Sequence, residues 1–373
     1  MRLLQVLEPS GGGSGRHFVD LCRGLSERGH AVHAVYSPVR AEPRFVEELR
    51  ALGLAGVHEV AMARAPGPSD LAAWRALNAV IRTHGPFDVI HGHSSKAGAL
   101  ARLRLPGRRI PRVYTPHAFR TMDPGLGRAG RLVYGTIETL LAHAFTDRLI
   151  CVSADEAAHA RALRMPEKRL SVVVNGVETP PADPEGKVRA ALGIPADALV
   201  FGFVGRLCPQ KAPERLLSAF ELAAERLPSA WLLMIGTGED EPAVRAQIAA
   251  SHFRDRIVLD SRFTGAEAMA AFDALAMPSR YEAMSYVMLE AAAAGKPMIL
   301  SDVGGASTVL KDGENGILVP NTDDPHPLAD AMLRFGEDDA RARYRQAAEA
   351  RSGAYALSRM VDGTEAIYRA LIA

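Results

Sequence analysis

Two hydrophobic rhythms alternate along the chain. Short apolar runs bounded by polar or turn residues predict strands over residues 2–8, 31–36, 88–91, 112–115, 148–152 and 171–174. A second series follows over residues 199–204, 231–235, 256–259, 274–277, 296–300 and 316–319. Between most of them apolar residues return at helical spacing, as at Phe18, Leu21, Cys22 and Leu25. Alternating β and α segments predict an α/β class with parallel sheets covered by helices on both faces. The scheme restarts after "NGVETPPADPEG" (residues 175–186), rich in Pro, Gly and acids. The expected organisation is a Rossmann-like domain over residues 1–177, a second over 178–354, and a C-terminal helix over 355–373 packing on the first domain. In such sheets ligands sit beyond the carboxyl ends of the strands.

Composition agrees with two complete cores: 373 residues, 48% of them hydrophobic. Cys22, Cys151 and Cys208 lie far apart without C-x-x-C spacing, which disfavours a zinc site or a disulfide framework. No signal-peptide pattern opens the chain and no apolar run reaches the length of a membrane span, so a cytoplasmic protein is expected. The net charge of +1 conceals a division: residues 1–177 carry net +9 and the remainder net −8. A basic first half suggests an anionic ligand or surface there, and no nucleic-acid partner is expected.

The stretch "EPSGGGSGRH" (residues 8–17) follows the first strand and precedes a helical pattern, the arrangement that presents backbone N–H groups to an anion. It fails the dinucleotide fingerprint, because glycine is replaced by Arg16 or Phe18 in the two possible frames. It also lacks the G-K-[ST] of a P-loop. His91 and His93, two apart on one strand face, raise a metal reading, but no third ligand is apparent.

The second half is more informative. In "PSRYEAMSYVMLEAAAAGKPMI" (residues 278–299) a strand ends, a loop carries Glu282, Ser285 is placed to cap a helix, and Gly295 stops it. N–H groups around Tyr286, Val287 and Met288 would face an anion. Glu290 lies about 7–8 Å further along the helix, a span that fits a diphosphate-to-ribose distance. Its carboxylate would accept from vicinal hydroxyls. A glutamate followed by four alanines is an odd choice for a merely solvated position. In "FVGRLCPQKAPERLL" (residues 203–217), Arg206 and Lys211 flank a strand-to-helix loop where both could stabilise a leaving diphosphate.

Together "GRLCPQK…ERLL", "PSRYEAMSYVMLEAAAAGKPMI", "SDVGG", "NGV" (residues 175–177) and "DGENGILVP" (residues 312–320) resemble the retaining GT-B glycosyltransferases of family 4 across nearly the whole chain. Glu282 and Glu290, separated by seven residues, match that family's glutamate pair. The resemblance implies two Rossmann-like domains facing a central cleft, with the C-terminal helix crossing back to the first. It implies sugar transfer from a UDP- or GDP-sugar to a saccharide or lipid-linked acceptor, in surface polysaccharide or glycolipid assembly, without a metal or other cofactor. By position, Gly205, Arg206 and Lys211 would contact the donor diphosphate and Glu290 the ribose. Glu282 and the backbone at Ala283, Met284, Ser285, Tyr286 and Val287 would hold the transferred sugar and nearby phosphate. His117, in "YTPHAF", would reach the sugar from the first domain, and Gly13 and Gly15 would let the backbone approach the donor. His117, Glu282, Arg206 and Lys211 are the catalytic candidates. Ala283 departs from the glycine usual in the family, as does "AMSY" from its common loop sequences.

For the acceptor the candidates are Arg16, Ser94 and Lys96. The run "ARLRLPGRRIPR" (residues 101–112), with Arg120, Arg128 and Arg131 and interleaved Leu103, Leu105, Ile110, Leu132 and Val133, predicts peripheral contact with an anionic membrane. Three alternatives stay open on sequence alone: a GT-B sugar phosphorylase, a nicotinamide dehydrogenase and a two-lobed solute-binding module.

Overall fold

The computed structural model describes residues 1–104, 109–123, 125–183, 186–282 and 284–373. The chain divides into two compact units, Met1–Gly176 with Leu357–Ala373, and Val177–Ala356.

The first unit contains seven parallel strands: β1 (Arg2–Leu7), β2 (Ala31–Tyr36), β3 (Gly56–Glu59), β4 (Val89–His93), β5 (Arg112–Thr115), β6 (Arg148–Cys151) and β7 (Leu170–Val172), in the order β3-β2-β1-β4-β5-β6-β7. β1 is apolar on both faces because both are covered. Leu3 and Leu7 join Phe18, Leu21 and Leu25 of the Gly12–Glu27 helix, while Leu4 and Val6 join Leu77, Phe87 and Ile90 on the other side. β3 has no counterpart among the predicted strands. Its sequence "GVHE" has no apolar run, since it lies at the sheet edge and is buried on neither face.

Close approach is sequence-encoded where helix meets sheet. A Cβ on Gly98 would fall 2.2 Å from the Tyr114 ring, and one on Gly92 would fall 2.7 Å from the Cα of Gly98. The Ser95–Arg102 helix therefore rests directly on β4 and β5. The C-terminal helix Leu357–Ile372 packs on Gly12–Glu27, with Gly24 making room for Val361.

The basic run of this unit is not the exposed face that its composition suggests. Arg102 is fully buried, pairs with Glu138 at 2.7 Å and lies 3.7 Å over the Tyr114 ring. Arg104 and Arg109 both pair with Asp147, Arg120 pairs with Asp123, and Arg112 is buried. Leu105 lies outside the described residues. What remains exposed, besides Leu103 and Arg109, is the Arg128–Ala144 helix, where Leu132, Val133, Ile137 and Leu140 face outward beside Arg128 and Arg131.

The second unit holds six parallel strands: β8 (Leu199–Val204), β9 (Ala230–Ile235), β10 (Ile257–Asp260), β11 (Ala274–Met277), β12 (Met298–Ser301) and β13 (Gly316–Val319), in the order β10-β9-β8-β11-β12-β13. Its core is built on Phe201, Phe203, Phe220, Phe335 and Tyr344. Both units are Rossmann-like, and in each the strand order reverses beside the first strand, between β1 and β4 and between β8 and β11. Those are the switch points where open α/β sheets bind ligands.

Candidate active site

At the β8/β11 switch point two loops are tied together by backbone. Arg280 N–H donates to Gln210 O at 2.8 Å, Gln210 Nε2 donates to Tyr281 O at 3.0 Å, and Arg280 Nη1 donates to Pro209 O at 2.6 Å. This brings Lys211 and Glu282 into contact: Lys211 Nζ donates to Glu282 Oε1 at 2.5 Å, and both side chains are largely buried. Arg206 is exposed, and among the described residues it has no ion-pair partner. Three residues beyond Glu282, Ser285 caps the Tyr286–Ala293 helix with extended backbone but without a side-chain hydrogen bond. The helix ends where Gly295 adopts a φ of +65°. Ser285 and Glu290 are buried, and Met284, Tyr286 and Val287 are half-buried. Ala283 lies outside the described residues. Cationic side chains beside a helix N-terminus suit a phosphate, and a carboxylate further along that helix suits hydroxyls of the same ligand.

A third loop, "GTGED" after β9, belongs to the same site. Gly205 N–H donates to Ile235 O at 3.0 Å and Leu207 N–H to Thr237 O at 2.9 Å. A Cβ on Gly236 would fall 1.9 Å from Gly205 O, and one on Gly238 2.2 Å from Leu207 O. This loop thus sets the path of the one that carries Arg206. The two glycines directly after an apolar strand were the available signal.

At the first unit's switch point the glycine-rich stretch is not a free loop. The helix begins at Gly12, whose φ is +58°, and Gly12 N–H donates to Glu42 Oε1 at 3.2 Å. Gly13 is exposed in the first turn, whereas Gly15 is buried, a Cβ there meeting the Phe45 ring at 3.1 Å. The small residue at position 15 thus serves packing against Phe45. Arg16 pairs with Asp20 at 3.8 Å. Ser94 is the buried N-cap of the Ser95–Arg102 helix, with a φ of +63°. Lys96 is turned inward: its ammonium donates to Ala65 O and to both oxygens of Asp70, at 2.9, 2.6 and 2.8 Å. Those bonds hold it to Asp70 and the backbone, so the structure does not present it as an exposed hand for an acceptor.

His117 stands at the carboxyl end of β5 in a strained turn, with φ of +54° at His117 and +76° at Ala118. Glu156 braces it, accepting from Ala118 N–H and Val152 N–H at 2.7 Å each. Burial pushes the Glu156 carboxyl up to about 7, against those two N–H donors. His17, His91 and His93 surround His117. Desolvation, reinforced by neighbouring imidazoles, holds His91, His93 and His117 well below the ordinary histidine range. Burial lowers His17 to about 4, although its hydrogen bond to Asn175 opposes the shift. His17 and Asn175 lie in the quoted stretches at residues 8–17 and 175–177, but no role at a site follows for them, or for Gln5, from the sequence.

Comparison with known proteins places this geometry. Residues 11–180 match the family model for Glycosyltransferase Family 4, and residues 185–351 that for Glycosyl transferases group 1. A D-inositol 3-phosphate glycosyltransferase of Mycobacteroides abscessus is 32% identical over 306 residues, covering 75% of this chain and 67% of that protein. A UDP-Gal:alpha-D-GlcNAc-diphosphoundecaprenol alpha-1,3-galactosyltransferase of Escherichia coli is 29% identical over 262 residues, covering 68% and 67%. The crystal structure of Anabaena HepE in complex with UDP superposes with a TM-score of 0.82 at 20% identity, covering 99% of this chain and 100% of that one. The two Rossmann-like units and these neighbours define a glycosyltransferase of the GT-B fold. Within that class, the chain belongs to glycosyltransferase family 4.

Proposed function

We propose that this glycosyltransferase acts with retention, moving a sugar from a nucleoside diphosphate sugar to a saccharide or lipid-linked saccharide in surface polysaccharide or glycolipid assembly. The observation that carries the reading is the β8/β11 switch point, where Lys211 and Glu282 meet three residues ahead of a helix N-cap and a buried Glu290 follows on that helix. The UDP bound to the Anabaena neighbour and the UDP-Gal in the name of the E. coli relative favour a uridine donor over a guanosine one.

In this reading Arg206, Lys211 and the N–H groups of the first helical turn hold the diphosphate, and Glu290 accepts from the ribose hydroxyls. Glu282 orients the transferred sugar, together with the backbone at Met284, Ser285 and Tyr286. The acceptor oxygen bonds to the anomeric carbon on the face from which the diphosphate departs. The bond from that carbon to the phosphate oxygen breaks, and the leaving oxygen takes the acceptor proton. Lys211 and Arg206 absorb the charge developing on that oxygen, so no step is assigned to a metal. His117 is assigned to a hydroxyl of the transferred sugar, and Ser94 and Arg16 to the acceptor. Peripheral contact with an anionic membrane is assigned to the exposed apolar face of the Arg128–Ala144 helix.

Glu290→Gln tests the nucleotide end of the assignment. Calorimetric affinity for UDP should fall at least tenfold, about 1.4 kcal/mol, while the unliganded melting temperature stays near wild type. Unchanged affinity removes Glu290 from the ribose.

A further inference from the structure

The histidines around His117 form more than a packing cluster. His17 comes from the first helix, His93 from β4 and His117 from the turn after β5, and one ring nitrogen from each lies within 4.8 Å of the other two. Their orientation is set from behind. His17 Nδ1–H donates to Asn175 Oδ1 at 2.9 Å, which leaves its Nε2 lone pair available. His93 Nε2–H donates to Gln5 Oε1 at 2.9 Å, which leaves its Nδ1 lone pair turned to His117. The Gln5 amide is oriented in turn, donating Nε2–H to Tyr368 Oη at 3.1 Å while the Tyr368 hydroxyl donates to His91 Nδ1 at 2.5 Å. Imidazoles fixed through their outer N–H on carbonyl oxygens are the form in which histidine ligates metals.

Spacing agrees with that chemistry. His93 Nδ1 and His117 Nε2 are 3.1 Å apart. Two imidazole nitrogens on a tetrahedral Zn²⁺, at about 2.0–2.1 Å each, would be separated by roughly 3.3–3.4 Å. Closure of this pair on an ion therefore asks for a few tenths of an ångström, and His17, within 4.8 Å of both, moves in to complete the set. His117 now donates Nε2–H to His93; with an ion bound its proton moves to Nδ1, so the neutral ligand set forms without a net charge change. His117 is the partly exposed member of the three, which gives an ion its way in and leaves a coordination position for water.

We propose that His17, His93 and His117 form a three-imidazole site for a borderline divalent transition ion, with Zn²⁺ as its representative. An ion held there occupies His117 and reversibly blocks sugar transfer. The binding stands on the geometry alone, whereas the inhibition rests on the role given to His117 above. A second trio, His33, His58 and His84, lies near the sheet edge at β2 and β3, where the Arg2 guanidinium disfavours an added cation.

The test uses the full chain carrying His58→Ala and His84→Ala to remove that second trio, stripped with a chelator. Calorimetry with Zn²⁺ should show one saturable site per chain, and Co²⁺ should produce the visible bands of a four-coordinate ion. His17→Gln and His93→Gln, each checked for an intact fold by circular dichroism, should weaken Zn²⁺ binding at least tenfold. Zinc should abolish transfer reversibly while leaving UDP affinity unchanged. Absence of saturable binding, or of Co²⁺ bands in the protein with this cluster intact, overturns the site, as does tight binding that survives both glutamine variants. Saturable binding with unaffected transfer overturns the inhibitory half and, with it, the sugar contact assigned to His117.

Discussion

Lys211 and Glu282 are each other's counter-charge in the ligand-free site, and neither is exposed enough for water to replace the partner. A diphosphate arriving at Lys211 would release Glu282 toward a sugar hydroxyl, so the two residues should fail differently. Lys211→Ala removes the cation assigned to the phosphate and leaves Glu282 buried without compensation. UDP affinity should fall at least tenfold, and the melting temperature should fall with it. Glu282→Gln preserves shape and hydrogen-bonding capacity. UDP affinity should stay within a few-fold, while turnover falls by about 10²–10³, the scale of losing one positioned polar group. Equal loss of nucleotide binding in both variants, measured by calorimetry beside initial rates, would contradict this division. The pair was legible because Lys211 and Glu282 each sit in a contiguous motif. Their contact was not, since it depends on backbone bonds between loops about seventy residues apart.

The C-terminal helix Leu357–Ile372 shows how one element is held. Glu365 accepts from Arg28 at 2.9 Å and Arg369 at 2.6 Å, and lies 3.1 Å from His30 Nε2. The Arg28 guanidinium, ahead of the other partners, holds the Glu365 carboxyl down to about 2. The unfolded carboxyl titrates near 4.3. A depressed acid stabilises the folded state fully above its unfolded value and loses that contribution as pH falls through its folded one. Amide exchange in this helix, measured by mass spectrometry, should therefore have constant protection from pH 7 to about 5 and lose it progressively toward pH 2. Glu365→Gln should exchange faster at pH 7 and show no further loss specific to this helix in that window. A variant indistinguishable from wild type would remove Glu365 as the anchor. Elements of this kind follow from local apolar period, and the predicted strands reappear with ends moved by no more than two residues. The polar edge strand β3 is the exception, because pairing with β2 and not side-chain burial makes it a strand.

At the scale of the molecule, the net +9 of residues 1–177 does not gather into the single basic face that the run of arginines suggests. Arg102 is spent on Glu138, Arg104 and Arg109 on Asp147, and Arg120 on Asp123. The apolar face that stays exposed lies on the Arg128–Ala144 helix, with Leu132 72% and Leu140 63% exposed beside Arg128 and Arg131. No described helix is long and apolar enough to cross a bilayer. Wild-type protein should float with vesicles containing anionic lipid at low salt and be released as salt shortens the Debye length to a few ångströms. Leu132→Asp with Leu140→Asp should abolish flotation and leave UDP binding intact. Failure of the wild type to bind anionic vesicles at low salt, or flotation by the double variant, would end the membrane assignment.

By itself the sequence determined the β/α alternation, the α/β class, the family resemblance and the motif positions of the second unit. Each of these is written in short-range order: apolar period, glycine at turns, a cap before a helix. Tertiary structure alone decided which charges remain available and which groups meet. Gln5, His93, His117 and Tyr368 form one hydrogen-bonded chain, and the His17–Asn175 pair packs against it through the imidazole rings, although these residues span almost the whole chain. No local pattern could reveal it, because desolvation and partner choice depend on what the fold brings within a few ångströms.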